Sequence, residues 1–448
     1  MQLAPGSVVT LDIEKPTAGG RMLARHEGRV IFVSAAIPGE RVNARVERIA
    51  KGVVYADTAD VVTASPDRRG IGGDWRCGGN VMAHIAYPRQ LQLKAEIVQD
   101  AFTRIAHLPL RSAPDVIGSP EQGYRMRARL HARDGRLGFF REGSHDLCDP
   151  VTTGQLLPST HEWIAAAEET LQRKRLTGLA GIEIAENISG DQRACHLELH
   201  AGVDATRFAA LAHALTGLSA ERTDRPGMTV LSGSTTVTDV LHVSSVGLKP
   251  DTTREDGQES AVRFGRDVRA FFQGNRFLLQ QLVQRVADLV APGPVLDLYA
   301  GVGLFGLSCA ATRAGPVTLV EGDLISGADL QRNAESFGET VRVERRSVEA
   351  FLRSAPVPPD STVIVDPPRT GMTRDAVHGI MRVAPARVIY VSCDVATLAR
   401  DARTLVDGGY QLRELSGMDL FPNTAHVETI AVFSRSSRTV KVRAASLR

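Results

Sequence analysis

Cysteine is scarce in this 448-residue chain: there are five, widely scattered and odd in number. That argues against a disulfide framework and fits a reducing compartment. Long hydrophobic runs are missing too. No uncharged apolar stretch approaches membrane-spanning length, and the opening MQLAPGSVVT has neither a basic n-region nor an apolar h-region. A cytoplasmic protein without membrane contact is expected. An excess of one charge is also lacking, since 53 Lys+Arg against 51 Asp+Glu leave a net +2. Any surface for nucleic acid must therefore be local. Aromatic residues make up only 5%, and few fall in the first 65 positions, which leaves base stacking there unsupported. No internal repeat is found. What remains is an ordinary globular composition, 43% hydrophobic and 23% charged, on a chain long enough for two or three cores.

The stretch that organises the rest is VLDLYAGVGLFGL, residues 295–307. A short apolar run ends in a glycine turn at Gly301 and Gly303, and an apolar helix pattern follows. Glycine lets the backbone approach a ligand that a Cβ would obstruct, and the first N–H groups of the helix face that ligand. The pattern is G-x-G, with Gly306 completing G-x-G-x-x-G only in part. Twenty residues past Gly301, the strand pattern VTLVE ends in Glu321, at the spacing where an acidic side chain meets ribose hydroxyls. Two more polar strand ends follow, IVDPPR (364–369) and VIYVSCD (388–394). A dinucleotide site leaves these two without a role; an S-adenosylmethionine site on a methyltransferase sheet accounts for all four. The β–α alternation from about residue 262 implies a mostly parallel sheet with helices on both faces. The catalytic domain is therefore placed at 262–448.

Residues 1–64 alternate apolar and polar in short segments (SVVTLDIE, GRVIFVS, RVNARVERI, GVVYADTADVV), as a small closed barrel does. Arg21, Arg25, Arg29, Arg41, Arg45 and Arg48 offer a phosphate-tracking face, weighed against a plain charged surface in which Glu27, Glu40 and Glu47 offset them. Residues 65–261 read as a central α+β domain for RNA recognition. It opens with a Gly-rich loop and an amphipathic helix whose buried face is Leu91, Leu93, Ile97, Val98 and Phe102. A hairpin turns near Asp134–Gly135, and Arg125, Arg127 and Arg129 lie on one of its faces at period two, a candidate phosphate contact. A helix near 160–177, the strands GIEIAEN and ACHLELH, and an exposed polar loop over 244–260 complete it.

Cys393, in VSCD, sits where α/β sheets place their ligands, and a thiol is nucleophilic enough to act from a small thiolate fraction. Cys148, Cys195 and Cys309 are assigned to the core. FFQGN (271–275), DLYAGVG (297–303), LVEGD (319–323), VDPPRTG (365–371), VSCDVATLARD (391–401) and DLFPNTAHVET (419–429) together resemble the motif set of the RNA uracil-C5 methyltransferases. VSAAIPGERVNARV (33–46) looks like the core of a TRAM domain, an OB-like RNA-binding barrel. The resemblance implies a Rossmann-like class I methyltransferase domain behind a TRAM barrel and an α+β domain. It also implies S-adenosyl-L-methionine as cofactor and RNA as partner. Residue by residue it makes Cys393 the nucleophile on uracil C6 and Glu428 the base that removes the C5 proton. Gln273, Tyr299, Glu321 and Asp366 become cofactor contacts, with Asp366 also near the target base. The base must be flipped out or unpaired to reach the thiol.

The pattern breaks in one place. Many family members hold an iron–sulfur cluster on four cysteines; here Ile71, Cys77 and Asn80 occupy the first three positions, and only Cys77 is a ligand. With Cys148 as an off-register second thiol, the set of four is incomplete, so no cluster or other metal is expected. By analogy alone the TRAM domain favours 23S rRNA over tRNA, and a monomer is expected. Two rivals stay open: a methyltransferase acting on an exocyclic amine, which DPPR resembles, and a non-catalytic RNA-binding or RNA-folding protein.

Overall fold

The computed structural model describes residues 3–244, 259–313 and 315–435. The loop expected over 244–260 falls, except at its ends, outside them. Strands Val8–Pro16, Met22–His26, Arg29–Ser34, Arg41–Ala50 and Val53–Thr63 close into a barrel. The alternation read from the sequence sends Val9, Leu11, Ile13, Val42 and Ala44 inward. Three of its six arginines face carboxylates: Arg21 pairs with Glu47 at 3.2 Å, Arg25 with Glu14, and Arg41 with Asp12 at 3.9 Å. Arg48 lies 3.7 Å over the Tyr55 ring. Glu40 offsets none of these arginines, because it is buried and receives both Nε and Nη2 of Arg68 at 2.6 Å. That pair fastens the barrel to the segment that follows.

A seven-stranded sheet forms the middle of the molecule, in the order Arg225–Gly233, Gly217–Arg222, Arg193–Leu199, Leu179–Glu186, Arg127–Arg133, Arg136–Phe140, Leu147–Cys148. Its hairpin turns at Asp134 (φ 52°) and Gly135 (φ 71°), the paired left-handed conformation that suits a two-residue loop between twisted strands. The helix Pro158–Arg173 lays Trp163, Ile164, Ala167 and Leu171 into the same core as Leu130, Ile182 and Leu197.

Cys77 and Cys148 are joined in a disulfide, with Cα atoms 5.7 Å apart across 71 residues of sequence. Cys148 lies in the core as expected, but it is bonded there and not a free thiol, and one bond is less than the framework that the cysteine count argued against. The fold lays the Gly-rich loop beside Leu147–Cys148, a proximity that cysteine spacing does not reveal. Denatured, unreduced protein is expected to titrate three free thiols (Cys195, Cys309 and Cys393) and five after reduction. Cys148→Ser should lower the unfolding free energy of the oxidised protein by about 2–4 kcal/mol, measured by denaturant titration. Five thiols without reductant would exclude the bond.

The catalytic layer is an eight-stranded sheet. Its strands are β1 (Val116–Ile117), β2 (Val295–Leu298), β3 (Val317–Val320), β4 (Val341–Glu344), β5 (Thr362–Val365), β6 (Arg387–Ser392), β7 (Tyr410–Met418) and β8 (Glu428–Arg435), in the spatial order β4-β3-β2-β5-β6-β8-β7-β1. Neighbours from β4 to β6 are parallel, and β8 runs antiparallel to both β6 and β7. The central strands are short and mostly apolar because helices cover both faces, with Asp297 the charged exception in β2. Those helices are α2 (Leu279–Leu289), α3 (Leu304–Thr312), α4 (Leu324–Ala334), α5 (Val348–Ser354), α6 (Arg374–Val383) and α7 (Val395–Asp407). Asp323, Ser347, Thr373 and Asp394 cap four of them with side-chain oxygens.

Two elements from far upstream join this layer. Helix α1 (Tyr87–Arg104) shares a core with α6 and α7, and β1 pairs with Gly417 and Met418 of β7. The antiparallel pair Thr236–Ser244 and Glu259–Asp267 likewise packs Leu241, Val243, Val262 and Phe264 against α2 and α3.

Candidate active site

The carboxyl end of β2 carries a run of left-handed backbone: Tyr299 (φ 62°), Gly301 (φ 57°) and Gly303 (φ 99°). The glycines serve different ends. A Cβ at Gly306 would fall only 2.1 Å from Leu319 of β3, so this glycine seats α3 against the sheet, while one at Gly303 would fall 2.5 Å from Leu307 of α3 and 2.8 Å from Leu330 of α4, where the two helices meet. A Cβ at Gly301 would meet nothing within 4 Å, which leaves open space beside the turn. The Gly301 N–H donates to Glu321 at 2.7 Å, and the Asp323 N–H donates to the other oxygen at 2.6 Å. Glu321 is thereby aimed along the turn from the end of β3, and burial raises its carboxyl. Asp297 is fully buried within β2 and accepts from the Gly306 N–H at 2.8 Å, while its second oxygen has no partner. Burial pushes it up to about 8, against the pull of that hydrogen bond.

Across the sheet, Gln273 is buried and donates its amide to Asp366 at 3.1 Å, just past the end of β5. Ser392 and Thr429 are partners on β6 and β8, so Cys393 and Glu428 are the flanking residues that come off the same end of this pair. Glu428 is 1% exposed and its Oε1 has no hydrogen-bond partner; it is not a surface glutamate. Burial first, and then Asp366, raise its carboxyl well above the ordinary range, and Asp366 is raised by burial against the Gln273 amide. Burial also pushes the Cys393 thiol up to about 12, Glu428 and Asp366 push the same way, and the hydrogen-bonded Arg369 guanidinium pulls it down. Cys195 and Cys309 are fully buried thiols raised by desolvation.

These shifts set a sign. Arg369 favours the charged forms of both Cys393 and Glu428, so an Arg369→Met variant should need a higher pH to generate them. The rising limb of the single-turnover rate against pH is expected to move alkaline by about one unit. A limb that stays put or moves to lower pH would remove Arg369 from this role.

The comparisons with known proteins point one way. A model of the tRNA (uracil-5-)-methyltransferase family matches residues 331–436, and one of the TRAM domain matches 2–59. The 23S rRNA (uracil(1939)-C(5))-methyltransferase RlmD of Pseudomonas putida is 32% identical over 96% of this chain and 95% of its own length. The chain belongs to the RNA uracil-C5-methyltransferase family. An uncharacterized RNA methyltransferase of Nitratidesulfovibrio vulgaris is 31% identical to this methyltransferase over 96% of it and 97% of the relative. The Pyrococcus abyssi tRNA (uracil-54, C5)-methyltransferase, solved with S-adenosyl-L-homocysteine, shares the fold at a TM-score of 0.70 and 24% identity, covering 95% of this chain and 100% of that one.

The methyltransferase thus brings Gln273, Asp366, Arg369, Cys393 and Glu428 together, with Tyr299, Gly301, Gly303 and Glu321 along the adjoining strand ends. The three arginines near the hairpin are less free than their spacing suggests. Arg125 is turned inward, donating to Gln155 at 2.6 Å and to the Arg127 carbonyl at 2.8 Å. Arg127 pairs with Glu183 at 2.8 Å and Arg129 with Glu198 at 2.5 Å. Sequence reasoning missed Asp297, hidden in an apolar strand, and the buried Gln90 and Lys94 of α1. The only signal for these last two was their place on the apolar stripe of the helix, at i and i+4.

Proposed function

We propose that the methyltransferase converts one uridine of 23S rRNA to 5-methyluridine, using S-adenosyl-L-methionine and a covalent bond between Cys393 and uracil C6. The observation that carries this reading is the register of β6 and β8, which brings Cys393 and the buried carboxyl of Glu428 off the same end of the strand pair. The pocket suits the cofactor. Glu321 is aimed for ribose hydroxyls, open space lies beside Gly301, and Tyr299 adds an aromatic face. S-adenosyl-L-methionine supplies the methyl group, carried on a cationic sulfur. Gln273 and Asp366 orient the reacting groups.

The Cys393 thiolate forms the S–C6 bond, and the pair from the C5–C6 double bond moves onto C5 and O4. That makes C5 nucleophilic enough to be methylated. Glu428, as carboxylate, then takes the C5 proton; the C6–S bond breaks, the double bond returns, and the thiolate leaves. Arg369 stabilises the thiolate at both ends of this sequence.

The choice of 23S rRNA rests on the relatives named for it, which match across nearly the whole chain, and on the TRAM barrel. The test uses 5-fluorouridine-substituted 23S rRNA fragments and tRNA with S-adenosyl-L-methionine. Fluorine at C5 does not leave as a proton does, so the enzyme should be trapped on its target as a denaturation-resistant adduct. Trapping on tRNA alone would reassign the substrate. Absence of an adduct with either RNA, despite cofactor binding, would refute the nucleophilic mechanism.

A further inference from the structure

Met418 and Glu428 are direct partners on β7 and β8, yet nine residues, 419–427, connect them. A connection of that length holds no fixed shape unless its polar groups are anchored. Helix α1 and the segment before it provide the anchors. Lys94 donates to Asp419 and to the Phe421 carbonyl, the latter at 3.1 Å, and Tyr87 donates to the other Asp419 oxygen at 3.0 Å. Gln90 donates to Asn423 Oδ1 at 2.9 Å and accepts from the Asn423 N–H at 3.0 Å. Arg69 adds a bond to the same oxygen at 2.9 Å. The side chains of Lys94 and Asp419 are 0% exposed, and Asn423 is held at φ 64°.

A buried ion pair contributes little net stability compared with apolar side chains of the same volume. What it does provide is direction, and here everything it directs lies in the connection that ends at Glu428. We infer that Lys94, together with Gln90, is a positioning residue for Glu428, holding the 419–427 connection so that the carboxyl meets the C5 proton. This rests on Glu428 being the base. Cys393 and Arg369 lie on other elements, after β6 and β5, and the hydrogen bonds of Lys94 and Gln90 go instead to Met82, Ile85, Asp419, Phe421 and Asn423. Adduct formation should therefore survive the loss of Lys94, whereas release of the methylated product should not.

The experiment compares Lys94→Met, Lys94→Met/Asp419→Asn and Gln90→Ala with Glu428→Gln in the full chain. The double variant removes the unpaired buried carboxylate that could unfold the single one, and Gln90→Ala removes no charge. Adduct formation is followed on 5-fluorouridine RNA, and adduct release on unsubstituted RNA. Release is expected to slow on the order of 10–100-fold, with adduct formation within about threefold, so that a methylated adduct accumulates as it does for Glu428→Gln. A purely structural role would slow both steps together, or leave both unchanged in every variant that folds; either result overturns the inference. If Glu428→Gln itself accumulates no adduct, the base assignment falls and the positioning role falls with it. If only the α1 variants fail to accumulate adduct, the base assignment stands and the positioning role alone is rejected.

Discussion

Cys393→Ala is expected to lose methyl transfer on the order of 10⁴-fold or more, because the route through C6 closes altogether. Carbon 5 of an intact uracil is too weak a nucleophile for a methyl sulfonium, and nothing else among the described groups near Cys393 substitutes for the thiol. Glu428 and Asp366 are carboxyls raised by burial, and Arg369 is a cation. The change removes one sulfur from a half-buried position after β6, so folding and cofactor binding should persist. Transfer of radiolabelled methyl into RNA measures the loss, and cofactor titration provides the control. Full activity in this variant would favour the rival chemistry of exocyclic amines, which needs no nucleophile. Serine at the same position should be nearly as inactive, since its hydroxyl is far harder to ionise at a site that already opposes negative charge.

Glu428→Gln should act on the opposite end of the reaction. The amide keeps the size of the side chain but takes no proton, so turnover is expected to fall about 10²–10⁴-fold while Cys393 still attacks. The enzyme should then accumulate bonded to ordinary uridine RNA already bearing the new methyl, visible as a slow band on a denaturing gel. A variant that turns over normally, or one that never forms the adduct, would remove Glu428 from proton abstraction. Removing the buried carboxyl also lifts a charge that pushes the thiol up, so adduct formation by this variant should reach its maximum at lower pH than in the parent.

The strand ends were legible because each is local: an apolar run, then a polar residue, then a helix start, all within about ten positions. Glu321, Asp366 and Cys393 follow that form, and the structure places them just past the carboxyl ends of the parallel strands β3, β5 and β6. Pairings across long separations were hidden. Arg127 and Arg129 read as free cations because Glu183 and Glu198 come 56 and 69 residues later, on the next strands of the sheet. Cys77 and Cys148 hid their bond in the same way. Lys94 was hidden by its chemistry: a lysine on an amphipathic helix is ordinarily solvated, and its partner Asp419 lies 325 residues downstream. Val116–Ile117, two residues long, is too short a strand for any pattern to announce.

That separation of 325 residues has a consequence during synthesis. At the usual elongation rate of about 5–20 residues per second, Lys94 of α1 is made roughly 16–65 s before Asp419. Through that interval its apolar face, Leu93, Ile97, Val98 and Phe102, lacks the α7 surface it finally covers, and Lys94 has no carboxylate to meet. The hairpin of β7 and β8 is the one that neutralises it, and it is the last of the described strands of this sheet to be made. The nascent chain is therefore expected to be a late folder, exposed to aggregation and to chaperones until its final strands are made. A stop codon just before Asp419 would leave a fragment that holds the nucleophile but no means of closing around it.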